Sequence, residues 1–161
     1  MISICRRTAA PLAVAAWLVA SPAGAEDLED IVGQHMVAEA LLAAHLVAVA
    51  GKAGLGNEEI RAILKDVADN SAIDEFWITD PEGHAVLANR EFSFTFSPDP
   101  AKQPQASAFW PLLTGEQKVV IQKAEKREVD DEIYKYVGVA GIDMPRIVQV
   151  GIDAAHLDAP K

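Results

Sequence analysis

The residues best suited to chemistry lie in the second half of the chain, where aromatic and polar side chains alternate. Eight of them are candidate ligand contacts: Phe109, Trp110, Gln122, Arg127, Tyr134, Lys135, Tyr136 and Gln149. A small-molecule pocket is mostly apolar with a few polar groups that orient the ligand. This mixture therefore predicts a binding site. The alternative is that the rings only fill the core, which is the commoner role of any single aromatic residue.

Sequence motifs of catalysis are missing from the chain. It contains no G-x-S-x-G, H-E-x-x-H or G-x-x-x-x-G-K-[ST] pattern. Gly51-x-x-Gly54-x-Gly56 resembles a phosphate-binding loop, but the Lys-Ser/Thr pair that would bind a nucleotide does not follow it. A linker is the better interpretation. We expect a protein that binds without catalysing a reaction and that needs no cofactor.

The four histidines raise the question of a metal site. His35 and Glu39 are four residues apart and share a helix face, but no third ligand joins them at a suitable spacing. Asp80 and Asp143 lie in turn sequences, where aspartate bonds local backbone amides. We therefore predict no metal site.

The net charge of the chain disfavours some classes of binding partner. The chain has 14 basic and 24 acidic residues, a formal net charge of −10. An acidic surface repels phosphate backbones and anionic lipid headgroups. We expect no binding to nucleic acid.

Residues 1–25 have the order of a secretory signal. Arg6 and Arg7 precede an apolar run at residues 9–20, and Ala23-Gly24-Ala25 supplies small residues for cleavage. The run is too short for a membrane span, which needs about 20 apolar residues. We predict cleavage near Ala25 and a periplasmic or secreted protein. Cys5, the only cysteine, lies in this segment.

Two helices are predicted ahead of the strands. The first covers residues 26–50 and is apolar almost all round from residue 36 onward, so it needs burial on more than one side. One side covers the sheet. The other side predicts either a homodimer through residues 28–49 or, in the alternative interpretation, docking on a membrane partner. Asn57 is the predicted cap of the second helix.

About five short antiparallel strands should follow, which makes the class α+β. The predicted strands are residues 76–79, 84–89, 118–129, 133–142 and 146–152, with an extended stretch at Phe92, Phe94 and Phe96. Prolines make residues 97–105 irregular, and residues 106–113 form a helical turn that Pro111 breaks. Strand alternation places Tyr134 and Tyr136 on one face and Lys135 on the face toward the helices.

Two stretches carry a family resemblance: residues 76–89, with Ile78-Thr-Asp-Pro-Glu-Gly83, and residues 134–153, with Tyr134-Lys-Tyr-Val. They resemble the Cache family, the PAS-like extracytoplasmic sensor domains of bacterial chemoreceptors and sensor kinases. The resemblance implies a single Cache domain at residues 26–153, followed by a short tail at residues 154–161.

The function implied by this resemblance is small-molecule binding that is passed to a membrane receptor or sensor kinase. The ligand would lie in a vacancy beneath the proline-rich loop, with Trp110 as a pocket aromatic. Organic acids are one ligand class of the family, and Arg127 or Lys135 could pair with a carboxylate. The chain departs from the family pattern because no second hydrophobic span follows Asp153.

Overall fold

A computed structural model describes residues 24–91 and 93–158 of the chain. It confirms the α+β class, with two helices packed on one antiparallel sheet of six strands. The helices are α1 (Gly24–Ala53), α2 (Asn57–Asp69), α3 (Trp110–Thr114) and α4 (Ala154–Asp158), with a 3₁₀ turn at Ala106–Phe109. The strands are β1 (Glu75–Thr79), β2 (Ala85–Ala88), β3 (Val119–Ile121), β4 (Glu125–Lys126), β5 (Ile133–Ala140) and β6 (Ile147–Asp153).

The strand order is β2-β1-β6-β5-β3, and β4 pairs with the first two residues of β5. β5 and β6 form the longest ladder, from Tyr134 opposite Asp153 to Ala140 opposite Ile147. Side chains alternate between faces along β5 as predicted. Val137 and Val139 join the apolar core under the helices, while Tyr134 and Tyr136 pack on the other side.

The single strand predicted at residues 118–129 is wrong, because two short strands, β3 and β4, occupy this stretch. Between β3 and β4, side chains of Lys135 and Glu29 form hydrogen bonds with the backbone. The carbonyl of Gln122 accepts a hydrogen bond from Lys135 Nζ at 2.8 Å, and the amide of Ala124 donates to Glu29 Oε1 at 2.7 Å.

α1 packs on β5 and β6, and α2 packs on β2 and β1. The predicted cap of α2 is wrong by one residue. Gly56 holds the capping position, and its amide donates to Glu59 Oε2 at 2.8 Å, while Asn57 is the first helical residue. The carboxylate of Glu59 thus supplies the half of a capping box that bonds the amide of the capping residue, and glycine has no side chain to supply the other half.

Residues 97–113, named here the crossing segment, run over the sheet face opposite the helices. Its first part is irregular, as predicted. Pro111 does not break the helical turn but lies in the first turn of α3, where its missing amide has no partner to lose. Phe109 packs closely on β5 because Gly138 has no side chain: a Cβ there would lie 2.6 Å from Phe109 Cδ1.

The C-terminal end of the chain differs from its prediction. Residues 154–158 form α4 rather than a tail, and His156 Nδ1 lies 2.9 Å from Asp74 Oδ2. Phe92 and most of the predicted signal, residues 1–23, lie outside the described residues. Within the described residues, one helix, Leu28–Ala53, is long and apolar enough to cross a membrane. A signal sequence, an anchor and a core helix all meet that criterion.

Candidate ligand-binding site

A small cavity lies between the sheet and the crossing segment. Its volume is about 30 Å³, and one water molecule needs roughly 10–15 Å³ measured in this way. The cavity is lined by Trp77, Phe94, Phe96, Gln105, Ala106, Arg127, Glu128, Val129, Tyr136 and Gln149. Since ligand pockets usually measure about 300–1,000 Å³, the vacancy predicted beneath this segment is present but far smaller than expected. Aromatic side chains fill most of the space.

A buried carboxylate, Glu75 on β1, organises the polar side of this cavity. The residue is 0% exposed. Its Oε1 accepts from Arg127 Nη1 at 2.7 Å and from Arg90 Nε at 3.1 Å. Its Oε2 accepts from Tyr136 Oη at 2.8 Å and from Trp77 Nε1 at 3.0 Å. Four donors thus offset the cost of placing this charge inside the protein.

Arg127 joins this carboxylate to the β4–β5 turn. Its guanidinium group also hydrogen-bonds Asp130 and Glu132. The guanidinium carbon lies 3.9 Å from the centroid of the Tyr134 ring, which stacks on Tyr136 at 5.5 Å. The arginine is therefore held by three carboxylates and one aromatic face.

The pKa values of the cluster follow from burial and from these bonds. Burial alone would lower the pKa of Arg127, but hydrogen bonds to Asp130 and Glu75 outweigh it and raise the pKa. The same bond lowers the pKa of Asp130. Burial raises the pKa of Tyr134 to about 12, and it also raises the pKa of Tyr136. Arg127 and Asp130 therefore stay charged and the two tyrosines stay neutral at neutral pH.

The crossing segment is tied down at Gln105. The carboxylate of Glu128 accepts the backbone amides of Gln105 and Ala106 at 2.7 and 3.0 Å. Gln122 Nε2 donates to the Gln105 carbonyl at 2.8 Å. The side-chain Nε2 of Gln105 is buried and has no hydrogen-bond partner. Buried donors are nearly always paired, so this unpaired atom of a cavity-lining residue is unusual.

A continuous series of contacts connects Gln105 with α1. Gln122 bonds Gln105 through its side chain and Lys135 Nζ through its carbonyl. Lys135 Nζ lies 3.4 Å from Glu29 Oε1 on α1. The hydrogen bond from the Ala124 amide lowers the pKa of Glu29 against the opposing effect of burial, and Lys135 lowers it further.

The structure brings together three of the eight predicted contacts, because Arg127, Tyr136 and Gln149 all line the cavity. Tyr134 lies beside them and lines a separate open groove. Gln122 supports the crossing segment from behind.

The remaining three predicted contacts lie elsewhere. Phe109 is 0% exposed and packs against Phe96 in the core. Trp110 is half-buried at the start of α3, next to Gly83. Lys135 lies on the opposite face of the sheet beneath α1, since strand alternation turns it away from Tyr134 and Tyr136.

Sequence reasoning missed Glu75 as the centre of the site. A signal was present: Glu75, Trp77 and Thr79 alternate with the apolar Phe76 and Ile78, which places the glutamate on the face of the tryptophan. Gln105 and Glu128 carried no comparable signal, because both depend on how an irregular segment returns to the sheet.

The turn between β1 and β2 holds a second group of polar residues. Ligand atoms of Asp80, Glu82 and His84 lie within 4.8 Å of one another. The Asp80 carboxylate accepts the amides of Glu82 and His84 at 3.0 and 2.8 Å, and it lies 3.0 Å from His84 Nδ1. These bonds confirm the predicted role of Asp80 in the turn.

Comparison with models of known protein families gives no match. Comparison with curated proteins finds no significantly similar sequence.

Proposed function

We propose that this protein is a sensor domain of the Cache kind, which binds a small uncharged molecule beneath the crossing segment and does not convert it. One observation carries the proposal: the unpaired Nε2 of Gln105 beside a cavity lined by aromatic rings. A cavity lined mainly by aromatic rings, with an unpaired amide donor on a lining residue, suits a small molecule that carries an acceptor oxygen. The cavity limits that molecule, or the part of it that enters, to a few non-hydrogen atoms.

The charges around the cavity argue for an uncharged ligand. Arg127 already bonds Glu75, Asp130 and Glu132, and Glu128 adds a negative charge to the lining. The second cation considered for an organic acid, Lys135, lies on the opposite face. Neither Arg127 nor Lys135 is therefore free to bind a carboxylate ligand in the cavity, and Glu128 would repel such a ligand.

The signal would leave the site through the contacts that join Gln105 to α1. A ligand that shifts Gln105 changes its bond to Gln122, whose carbonyl holds Lys135 against Glu29. In this proposal α1 carries the change to a membrane receptor or kinase. Coupling of this kind requires that the ligand bind one arrangement of the contacts better than the other.

Thermal unfolding with two probes of nearly equal size tests ligand binding. We expect acetamide to raise the melting temperature in a saturable way and acetate to raise it less, since binding to the folded state alone stabilises it. Ala106→Val fills the cavity and should abolish the shift. Ala101→Val, at an exposed position of the same segment, is the matched control and should keep it. The proposal is contradicted if neither acetamide nor acetate changes the melting temperature of the unaltered protein.

Two features favour a second candidate function: the cavity is small, and the side of α1 that faces away from the sheet exposes apolar residues. In that case the chain is an interaction module that meets a partner through this helix. Leu28, Ile31, Leu42 and Val49 all expose more than half of their surface there. Exposed apolar patches on a soluble domain mark interaction sites. Capture of a partner that is lost in Leu42→Glu, without any ligand response, supports this function.

A further inference from the structure

A buried glutamine, Gln149, lines the cavity from the middle of the sheet. It lies on β6, the central strand of the sheet order, opposite Trp77 of β1 and Gly138 of β5. The residue is 4% exposed. Its strand neighbours Val148 and Val150 join the core beneath the helices, so alternation turns the Gln149 side chain toward the cavity.

Most other polar groups of the lining already have partners. Arg127 and Tyr136 both bond Glu75, and the Glu128 carboxylate accepts two backbone amides of the crossing segment. Among the described residues, the Gln149 carboxamide forms no hydrogen bond. A buried polar group without a partner destabilises the folded state and is rare in proteins. The carboxamide is therefore suited to bond a molecule that the cavity holds.

A carboxamide is complementary to one chemical group in particular. Its oxygen accepts and its nitrogen donates, so its best partner has a donor and an acceptor side by side. A primary amide has this arrangement, because one N–H lies beside the C=O in a flat group. Two parallel hydrogen bonds can then form: the ligand N–H donates to Gln149 Oε1, and Gln149 Nε2 donates to the ligand oxygen. A ketone can form only the second of these bonds.

The rest of the lining favours an amide over an acid. A carboxylic acid has the same donor and acceptor only while it is protonated, and at neutral pH it is ionised. The cavity wall consists largely of the rings of Trp77, Phe94, Phe96 and Tyr136. A charged group among these rings would lose its hydration at a large cost, whereas an amide that is fully hydrogen-bonded would not.

We propose that the cavity binds the primary amide group of a small molecule and that Gln149 determines this specificity through two hydrogen bonds. The inference rests on the proposed function, because it concerns the ligand of the same cavity. It narrows that ligand from any small molecule with an acceptor oxygen to a primary amide.

Acetamide and acetone test the role of the ligand N–H. They have nearly the same size and shape, both are uncharged and both carry an acceptor oxygen, but only acetamide has a donor. In NMR titrations of the full chain, we expect saturable shifts and an affinity about tenfold higher for acetamide, the effect of one additional hydrogen bond. The side-chain amide signals of Gln149, identified by their loss in Gln149→Met, should move as acetamide is added.

The variant Gln149→Met assigns the preference to this residue. Methionine nearly preserves the volume of the side chain and removes both of its polar atoms. The variant should bind acetamide and acetone equally, so that the ratio of the two affinities falls from about ten to about one. Gln117→Met makes the same change at an exposed glutamine and is the matched control, which should keep the ratio of the unaltered chain. A ratio that stays near ten in Gln149→Met overturns the role of Gln149.

Propionamide and N-methylacetamide test the paired geometry, since they are isomers. The amide of N-methylacetamide is trans, so its N–H points away from its oxygen. Gln149 cannot bond both groups at once. Propionamide should therefore bind more tightly, and equal affinities overturn the arrangement of two parallel bonds.

Failure of this inference differs from failure of the proposed function. Equal, saturable binding of acetamide and acetone to the unaltered chain overturns the preference for amides, while the proposed function stands. Absence of binding by either molecule overturns both, and it is the result expected if the cavity holds only water.

Discussion

The two faces of the central sheet are both buried, but they differ in the kind of side chain that they bury. The helix-covered face is almost purely apolar, with residues such as Met36, Ile78 and Val137 at or near zero exposure. The face under the crossing segment buries aromatic rings together with Glu75 and Arg127. The first face can be packed by apolar shape alone. The second also requires every charge to find its partner.

This difference bears on function because buried ion pairs are a poor way to gain stability. Desolvation of two charges can exceed their attraction, and apolar residues of similar volume often stabilise as well or better. The hydrogen bonds of Glu75 offset the cost of its burial, but a gain in stability over apolar packing does not explain the Glu75–Arg127 pair. Its position beside the cavity supports a role in shaping a site.

Breaking the pair should give the largest effect. Arg127→Met removes the buried one of the two cations that bond Glu75 and leaves its carboxylate, 0% exposed, with the half-exposed Arg90, Tyr136 and Trp77 as donors. We expect a loss of about 3–5 kcal/mol in the free energy of unfolding, measured by urea denaturation. The double variant E75Q/R127M should recover part of this loss, because it also removes the buried negative charge that Arg127 helped to balance.

The matched comparison on the helix-covered face is Lys135→Met. Lys135 is also buried, but its only bonds in the described residues are to the Gln122 carbonyl and Glu29. We expect a loss of about 1–2 kcal/mol, the cost of leaving a carbonyl unpaired. Equal losses in the two variants would show that the faces do not differ in the way described.

Steric fit on the cavity face gives the next effect. Gly138→Val places a side chain where Phe109 lies, since even a Cβ would be 2.6 Å from Phe109 Cδ1. Overpacking of this kind costs about 1–3 kcal/mol. Gly51→Ala is the control: no atom lies within 4 Å of its Cβ position, and the helix should gain about 0.5–1 kcal/mol. Chemical denaturation of both variants measures the two changes.

The sequence predicted the sheet and its two faces because both depend on local alternation. Residues 133–140 show this best, since the faces of Tyr136 and Val137 follow from a period of two. The contents of the cavity depend on a long irregular segment. The return of Gln105 to Glu128 over 23 residues has no periodic signal. The alternation of Phe94 and Phe96 predicts an extended stretch but not that their rings fill the expected vacancy. Glu75 lies between these cases, because its face was predictable but its partners were not.

A smaller effect should appear as a pH dependence on both faces. Asp130 and Glu29 have pKa values below their ordinary values of 3.8 and 4.5, through bonds from Arg127 and from the Ala124 amide. A lowered pKa in the folded state stabilises the protein above the ordinary value, and this contribution is lost as the pH falls through the folded one. Both groups are partly exposed, so each contribution should stay below about 1 kcal/mol.

Asp130→Asn and Glu29→Gln should therefore be less stable than the unaltered chain at pH 7 and should approach its stability by pH 3. Urea midpoints at pH 7, 4 and 3 measure this convergence. Asp66→Asn, on the exposed side of α2, is the control and should follow the unaltered chain. Differences that stay constant from pH 7 to pH 3 would contradict the assignment for both carboxylates.

The smallest expected change in stability distinguishes a binding site from a structural core most directly. Gln105→Met removes an Nε2 that has no partner, so it should change the free energy of unfolding by less than about 0.5 kcal/mol. Gln122→Met, the matched variant, loses a real bond to the Gln105 carbonyl and should cost about 1 kcal/mol. If the donor exists for a ligand, only the nearly neutral Gln105→Met should remove the thermal shift caused by acetamide. A shift that survives this variant would mean that the unpaired donor is a packing defect and that the two faces differ in composition alone.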